Sequence, residues 1–212
     1  SKFDLALKSS PAIAADFKKE LKNLVLNTPK SSSKLFFNQL FGGRHSKAIL
    51  GDLLAVMLNN SMATYKIAGP QVAVEKEIIK QVNHLIGYPQ GCGGTFPTGG
   101  SMCNFMSLVM ARDKKDTEIK NKGMQGKLLA YTSENSHYSI AKNAAFTGIG
   151  RDNIRYIKSD NKGRINSVAF KNQVELDIEN GFTPFYINAT AGTTVLCAFD
   201  SVYELALTCK KH

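Results

Sequence analysis

Residues 91–112, Gly-Cys-Gly-Gly-Thr-Phe-Pro-Thr-Gly-Gly-Ser-Met-Cys-Asn-Phe-Met-Ser-Leu-Val-Met-Ala-Arg, constrain this chain more than any other stretch. Glycines at 91, 93, 94, 99 and 100, with Pro97 among them, break both helix and strand over the first ten positions. From there apolar residues recur at 102, 105, 106, 109 and 110, the spacing of one buried helix face, and Ser101 is the expected N-cap. A glycine loop lets backbone amides approach a ligand closely, and the helix behind it adds free N–H groups and the positive end of its dipole. Together they make an anion seat suited to a phosphate. A flexible loop leading into a core helix fits the same pattern, so both readings stand at this point.

The stretch departs from the common nucleotide loops. A P-loop needs Gly-Lys-Ser/Thr where this chain has Gly-Gly-Ser-Met. A dinucleotide fingerprint needs a strand directly before its glycines, and Leu85-Ile86-Gly87-Tyr88-Pro89-Gln90 is short and carries a proline. The seat therefore suits a phosphate carried by something other than ATP or NAD.

The rest of the chain must supply a body for that seat. With 212 residues, 43% hydrophobic and 21% charged, it is long enough for one large globular domain or two small ones. No apolar run reaches the roughly 18 residues of a membrane helix and no signal peptide opens the sequence, so the expectation is a cytoplasmic protein without membrane attachment. Cys92, Cys103, Cys197 and Cys209 show no zinc spacing or Cys-x-x-Cys pair, which points to reduced structural thiols and no metal. The net charge of +10 comes from lysines scattered along the chain rather than interleaved with aromatics. That distribution argues against nucleic acid and for attraction of small anions.

In chain order, Ala14, Phe17, Leu21, Leu24 and Val25 share a helix face in a basic lead-in that Thr28-Pro29 stops. After the polar linker 30–34 comes Leu35-Phe36-Phe37-Asn38-Gln39-Leu40-Phe41, an apolar run interrupted by two amides. Buried amides there must either satisfy local backbone or face a ligand, with the backbone the simpler partner. Helices are expected from 47 to 59 and after Pro70, with 62–70 a loop between them. Residues 113–126 read as charged and solvated. An α/β rhythm then sets in: strand 127–132, helix 137–146, strand 154–158, helix 168–179, strand 184–189, and a helix from near Asp200. Such alternation predicts a parallel sheet covered on both faces. Ligands then sit beyond the carboxyl ends of the strands, where residues 132–137 and 190–194 fall. Capping and turn chemistry explains each cluster alone, and a lone His137 at a helix start is more often a cap than a catalyst. Three such loops at one sheet edge raise the functional reading.

The order of six short motifs is that of a known family: Phe36-Phe37-Asn38-Gln39-Leu40, Thr64-Tyr65-Lys66-Ile67-Ala68, Gly99-Gly100-Ser101-Met102-Cys103-Asn104, Ser136-His137-Tyr138-Ser139, Ala189-Thr190-Ala191-Gly192-Thr193-Thr194 and Ala198-Phe199-Asp200. The chain resembles the group II pyridoxal-phosphate-dependent amino-acid decarboxylases, and within them the glutamate, cysteine sulfinate and aspartate decarboxylase branch. The likeness covers nearly everything from Leu35 onward. It implies an α/β protein, the fold-type-I (aspartate-aminotransferase-like) large domain, incomplete and preceded by a helical N-terminal segment. The expected division is a helical segment over 1–69 and the first half of the cofactor domain over 70–212, in a homodimer.

The resemblance also implies roles. Ser101, Met102 and Cys103 would hold the phosphate of pyridoxal 5'-phosphate, in agreement with the anion seat. His137 would stack on its ring as the catalytic residue, and Thr194 would contact the cofactor. Gln39, Leu40 and Phe41 would lie along the side chain of a small acidic amino acid that loses carbon dioxide. An aromatic substrate is the alternative within the family, although its branch resembles a Tyr-Phe-Pro pattern where Asn38-Gln39-Leu40 stands. A non-catalytic phosphate-binding or dimerisation fragment is the alternative outside it. Cys103 replaces a Ser of close relatives, Cys197 a usual Gly and Lys66 a frequent Glu. The family's ring-pairing aspartate and its cofactor-bonding lysine have no counterpart within 1–212. These residues are therefore expected to be the first part of an enzyme and inactive alone.

Overall fold

In the computed structural model, which describes residues 9–11, 13–38 and 40–212, the chain divides into two units between Ser61 and Met62. The first unit holds α1 (Ala14–Asn27) and α2 (Ser46–Leu58). Thr28 Oγ1 donates to the Leu24 carbonyl at 2.7 Å and Pro29 bars continuation, which ends α1 where the sequence predicts. Asn59 closes α2 in the left-handed conformation, its N–H on the Ala55 carbonyl. Neither helix buries a residue. Asn38 is exposed, and its Oδ1 accepts the Leu40 N–H at 2.9 Å, so this amide serves local backbone.

The second unit opens with α3 (Tyr65–Ala68) and α4 (Pro70–Leu85). The stretch 62–70, expected as loop, thus carries a helical turn, too short to show a period. Gly69, at φ 56°, redirects the chain so that Pro70 takes the first helical position. Next come α5 (Gly100–Lys115) and α6 (Ile119–Lys122). The expected solvated stretch is therefore partly helical and anchored by a buried Ile119.

Then follow β1 (Leu128–Ser133), α7 (Ser139–Phe146), β2 (Ile154–Ile157), α8 (Ser167–Glu179), β3 (Thr183–Asn188) and α9 (Val202–Lys211). All three strands are parallel, in the order β2-β1-β3. Alternation along β1 feeds two cores. Leu129 and Tyr131 pack with Phe170 and Val174 of α8 and Leu205 of α9. Ala130 faces the other way, onto Leu108 of α5 and Ile140 and Ala144 of α7. The parallel sheet covered on both faces is as expected, and all six residues of β1 are buried.

A buried polar knot ties these layers. Tyr131 donates its hydroxyl to Asp177 at 3.0 Å, Gln173 adds a second donor at 3.1 Å, and Arg155 Nε pairs with the other carboxylate oxygen at 3.1 Å. Burial, reinforced by the Asp177 charge, pushes the Tyr131 phenol well above its ordinary range.

β1 connects to β2 on one side and the chain then returns to β3 on the other, so the order reverses at β1/β3. Crossovers leave by opposite faces at such a point and open a crevice beyond the strand ends. The register slips between Leu129 and Ala130, where β3 spends an extra residue, and β3 ends opposite Thr132 at Asn188.

Candidate functional site

Three segments reach the crevice: the start of α5, the β1–α7 turn and the loop after β3. Gly99 adopts φ 138° and ψ 166°, open to glycine alone, and caps α5. The N-cap is thus Gly99 and not Ser101, which lies inside the first turn. Met102 and Cys103 both donate their N–H to the Gly99 carbonyl, at 3.0 and 3.2 Å. Gly100 and Ser101 supply the donors at the mouth of the helix. The side chains of Ser101, Met102 and Cys103 are exposed there.

Residues of α4 hold the glycine loop. Glu75 accepts the Phe96 N–H at 3.0 Å and the Thr95 hydroxyl at 3.2 Å, while Asn83 donates to the Cys92 carbonyl at 2.9 Å. Gly94 runs so close to this helix that a Cβ would stand 2.9 Å from Ile79 Cγ2. The loop is fastened rather than flexible, which favours the reading as a built seat.

Beyond β1, Thr132 donates to Ser136 at 2.6 Å, and Ser136 to the Ser133 carbonyl at 2.8 Å. This turn presents His137, which is exposed, with the Tyr138 ring 4.2 Å from its own. The helix expected from 137 starts at Ser139. Ser139 is fully buried, and both its hydroxyl and its N–H meet His137 Nδ1, at 2.8 and 3.2 Å.

Asp200 shapes the loop after β3. Buried at 7% exposure, its carboxylate accepts the Thr190 N–H and the Ile165 N–H, each at 2.7 Å. Thr193, buried too, accepts the Ala198 N–H on its hydroxyl at 3.0 Å. Thr194 beside it remains exposed. Asn188, at the end of β3, reaches Thr190 Oγ1 at 3.1 Å.

Ser101, Met102, Cys103, His137 and Thr194 therefore all lie on loops or helix starts of the second unit, at the carboxyl end of its sheet. Leu40 and Phe41 belong to the first unit, both exposed, with Phe41 edge-on to Phe36 at 5.6 Å between centroids. Gln39 lies outside the described residues. Sequence reasoning passed over Glu75, Asn83, Asn104, Ser139, Asn143, Thr193 and Asp200 as holders of the site. A usable signal existed for Asn104 and Asn143: each is an amide inside an apolar helical stripe, and a buried amide must find a partner.

A cavity of 330 Å³, lined by Tyr131, Phe185, Cys209, His212 and Lys115 among others, is elsewhere. Lys115 ends the 16-residue α5, about 24 Å from the helix start. Burial raises the Cys209 thiol there. Among the described residues no cluster could hold a metal ion and no helix is long and apolar enough to cross a membrane.

Comparison with known proteins bears on this arrangement. A family profile described as "Pyridoxal-dependent decarboxylase conserved domain" matches residues 3–212. Cysteine sulfinic acid decarboxylase of Mus musculus is 36% identical over 211 residues, 99% of this chain and 43% of that protein. Acidic amino acid decarboxylase GADL1 of Xenopus tropicalis is 36% identical over 193 residues, 90% of this chain and 38% of that protein. The crystal structure of mouse CSAD in apo form superposes with a TM-score of 0.94 at 35% identity, covering 98% of this chain and 44% of its own. Catharanthus roseus tryptophan decarboxylase, solved with L-tryptophan, shares the fold at a TM-score of 0.86 and 22% identity, over 99% of this chain and 46% of its own. The chain thus spans under half the length of the curated relatives it matches.

Proposed function

The chain belongs to the pyridoxal-dependent decarboxylase family, and from that membership we propose that the full-length protein removes the α-carboxyl group of a small acidic amino acid. Glutamate, aspartate and cysteine sulfinate are the candidate substrates. One observation carries the reading: a fastened glycine loop and a helix N-terminus share the sheet's switch-point crevice with a histidine whose Nδ1 is already engaged.

The donor set fits pyridoxal 5'-phosphate. A phosphate needs convergent N–H donors and positive potential, which the Gly100 and Ser101 amides and the α5 dipole supply. Ser101 adds a hydroxyl, and Met102 and Cys103 line the mouth with their side chains, their amides being turned inward to Gly99. A flat ring needs a flat cover, and the exposed imidazole of His137 offers one. When bound, the cofactor supplies an electron-accepting ring that takes up the electron pair released as carbon dioxide departs. His137 would lie against that ring, and Thr194 would flank it from the loop that Thr193 and Asp200 brace. The family resemblance would assign Gln39, Leu40 and Phe41 to the substrate's side chain.

An acidic substrate is supported by the names of the relatives at 36% identity and by the chain's positive charge. A homodimer in the cytoplasm is part of the same proposal. The exposed apolar residues of α1 and α2, Phe17, Leu21, Leu24, Ile49, Leu53 and Leu54 among them, are a surface that calls for cover.

The test is carbon dioxide release by the full-length protein with pyridoxal phosphate, offered glutamate, aspartate, cysteine sulfinate and tryptophan in parallel. Turnover of an acidic substrate and not of tryptophan is expected. Preference for tryptophan overturns the substrate class, and no turnover of any of the four overturns the activity.

A further inference from the structure

The starts of α5 and α7 are tied together twice. Asn143, on α7 and 4% exposed, donates its Nδ2 to the Ser101 carbonyl at 2.9 Å. Asn104, on α5, donates its Nδ2 to Ser139 Oγ at 2.9 Å. The two amides reach in opposite directions, each from one helix into the first turn of the other.

The second tie continues to His137, and its donor count leaves one arrangement. Ser139 Oγ carries a single hydrogen and already accepts from Asn104, an amide nitrogen that can donate alone. A hydroxyl oxygen can accept twice, so the deciding group is the Ser139 backbone N–H: it makes Nδ1 an acceptor, and the hydroxyl hydrogen then points at Nδ1 as well, 2.8 Å away. The Ser139 backbone N–H is aimed at the same nitrogen from 3.2 Å. With two donors converging on it, Nδ1 is an acceptor, and a neutral ring then carries its hydrogen on Nε2.

We propose that Asn104 and Ser139 are positioning residues that hold His137 as the Nε2–H tautomer and fix its ring plane relative to the first turn of α5. This rests on the reading above, in which that turn seats the cofactor phosphate and His137 covers the ring. Neither residue is among those which that reading sets against the cofactor. Their role is to make one rigid body of the phosphate seat and the ring cover, so that a cofactor anchored by its phosphate meets an imidazole already at the right tilt. Ordered second partners of this kind are how proteins fix histidine tautomers at metal and catalytic sites.

Asn104→Asp gives the discriminating test, because it keeps shape and reverses hydrogen bonding. A carboxylate accepts and cannot donate. It draws the Ser139 hydroxyl hydrogen to itself, which leaves Ser139 Oγ only lone pairs to offer Nδ1. Asn104→Ala removes the tie but leaves Ser139 free to go on donating to Nδ1. The full-length protein, labelled with 15N-histidine, is examined by NMR, with His137→Ala identifying the signals. Cofactor affinity is measured separately by equilibrium dialysis against pyridoxal phosphate.

The wild type is expected to show the Nε2–H tautomer. Asn104→Asp sets the lone pairs of Ser139 Oγ against the backbone N–H in the choice of tautomer, and is expected to raise the Nδ1–H population above wild type and to weaken cofactor binding about tenfold, a loss of the size two hydrogen bonds bring. Asn104→Ala and Ser139→Ala are expected to lose about two- to fivefold while the backbone N–H keeps the tautomer. A purely structural role predicts instead that the alanine variant is at least as damaging as the aspartate. Wild-type His137 signals in Asn104→Asp, with affinity within about twofold, overturn the positioning role even if His137→Ala binds poorly. Unchanged affinity and unchanged bound-cofactor absorption in His137→Ala overturn the underlying reading of His137, whatever tautomer is observed.

Discussion

β1 and α2 draw on the same apolar vocabulary and meet different fates. Leu128, Leu129, Ala130 and Tyr131 are at 5% exposure or less, whereas Leu50, Leu53, Val56 and Met57 of α2 are at 55% or more. Composition does not separate them. Topology does: β1 has a strand on either side and helices above and below, so every direction a side chain can take leads into another element. α2 forms by its own i→i−4 bonds and an Asn59 cap, which need no neighbour. A periodic apolar pattern thus specifies local shape, while burial is decided by segments far away in sequence.

If the core around β1 carries the second unit, its greatest vulnerability is the buried Asp177 carboxylate. Asp177→Ala takes the ion-pair partner from Arg155 and leaves the buried Tyr131 hydroxyl without its acceptor, and is expected to cost about 3–5 kcal/mol. Leu129→Ala opens a cavity where no solvent reaches and is expected to cost about 2–5 kcal/mol. Hydrogen exchange at the β1 amides in the full-length protein reads both. Exchange unchanged from wild type in either variant would mean that β1 is not the stable centre the burial implies.

The same knot sets an alkaline limit. The Tyr131 phenol is held above its ordinary value in the folded state, while in the unfolded chain it titrates near pH 10. The fold therefore keeps the whole of this contribution below about pH 10 and loses it as pH rises further. Tyr131→Phe should flatten the decline above about pH 10 while lowering stability below about pH 10 through the lost Asp177 bond. Denaturant midpoints from pH 8 to 11 check it, and parallel curves for the two proteins would remove Tyr131 as the cause.

α2 sharpens the comparison from the other side. In the proposed homodimer its apolar face is covered by the second copy. Leu53→Ser and Leu54→Ser should then leave β1 exchange untouched. Each should weaken self-association by roughly 1.5–3 kcal/mol, about ten- to a hundredfold in the dissociation constant. Sedimentation over a concentration series measures this. A concentration-independent monomer in the wild type breaks the proposal, and slowed or hastened β1 exchange in the variants breaks the independence of the two regions.

How much of this was legible follows from the same contrast. The strands at 127–132, 154–158 and 184–189 came within two residues at each end because their apolar runs sit between glycine- and asparagine-bearing turns. Helices α1, α4 and α8 were visible in their periods and in Thr28-Pro29, Pro70 and Asn180-Gly181. The turns α3 and α6 were not, since four residues cannot display a period. The start of α5 was misplaced by two residues because Ser101 has the chemistry of a cap while Gly99 has the required backbone. At the site, the loops were legible from their glycines and threonines. The ties from Asn104 to Ser139 and from Asp200 to Thr190 and Ile165 were not, because their partners lie 10 to 35 residues away. The resemblance to a family proposed the site residues, and the packing of the second unit supplied what holds the loops on which Ser101, His137 and Thr194 lie.

Cys197 shows how small an effect the comparison can still resolve. It sits in the brace between Thr193 and Asp200 at φ 52°, a left-handed conformation that a side chain pays to adopt. The family resemblance sets a glycine against this cysteine, and the left-handed angle is one that glycine takes without strain. Cys197→Gly relieves about 1 kcal/mol of left-handed strain. The freer unfolded chain takes back about 0.4–1 kcal/mol. The net is expected to be a stabilisation of no more than about 0.5 kcal/mol, with tighter exchange protection of the Ala198 amide, which Thr193 Oγ1 accepts. Unlike the core variants, this change should leave β1 exchange alone, since the loop is fixed by its own bonds to Asp200 and Thr193. A loss of protection at Ala198 would show that the cysteine side chain contributes more to the brace than its backbone costs, and would reverse the sign of the prediction.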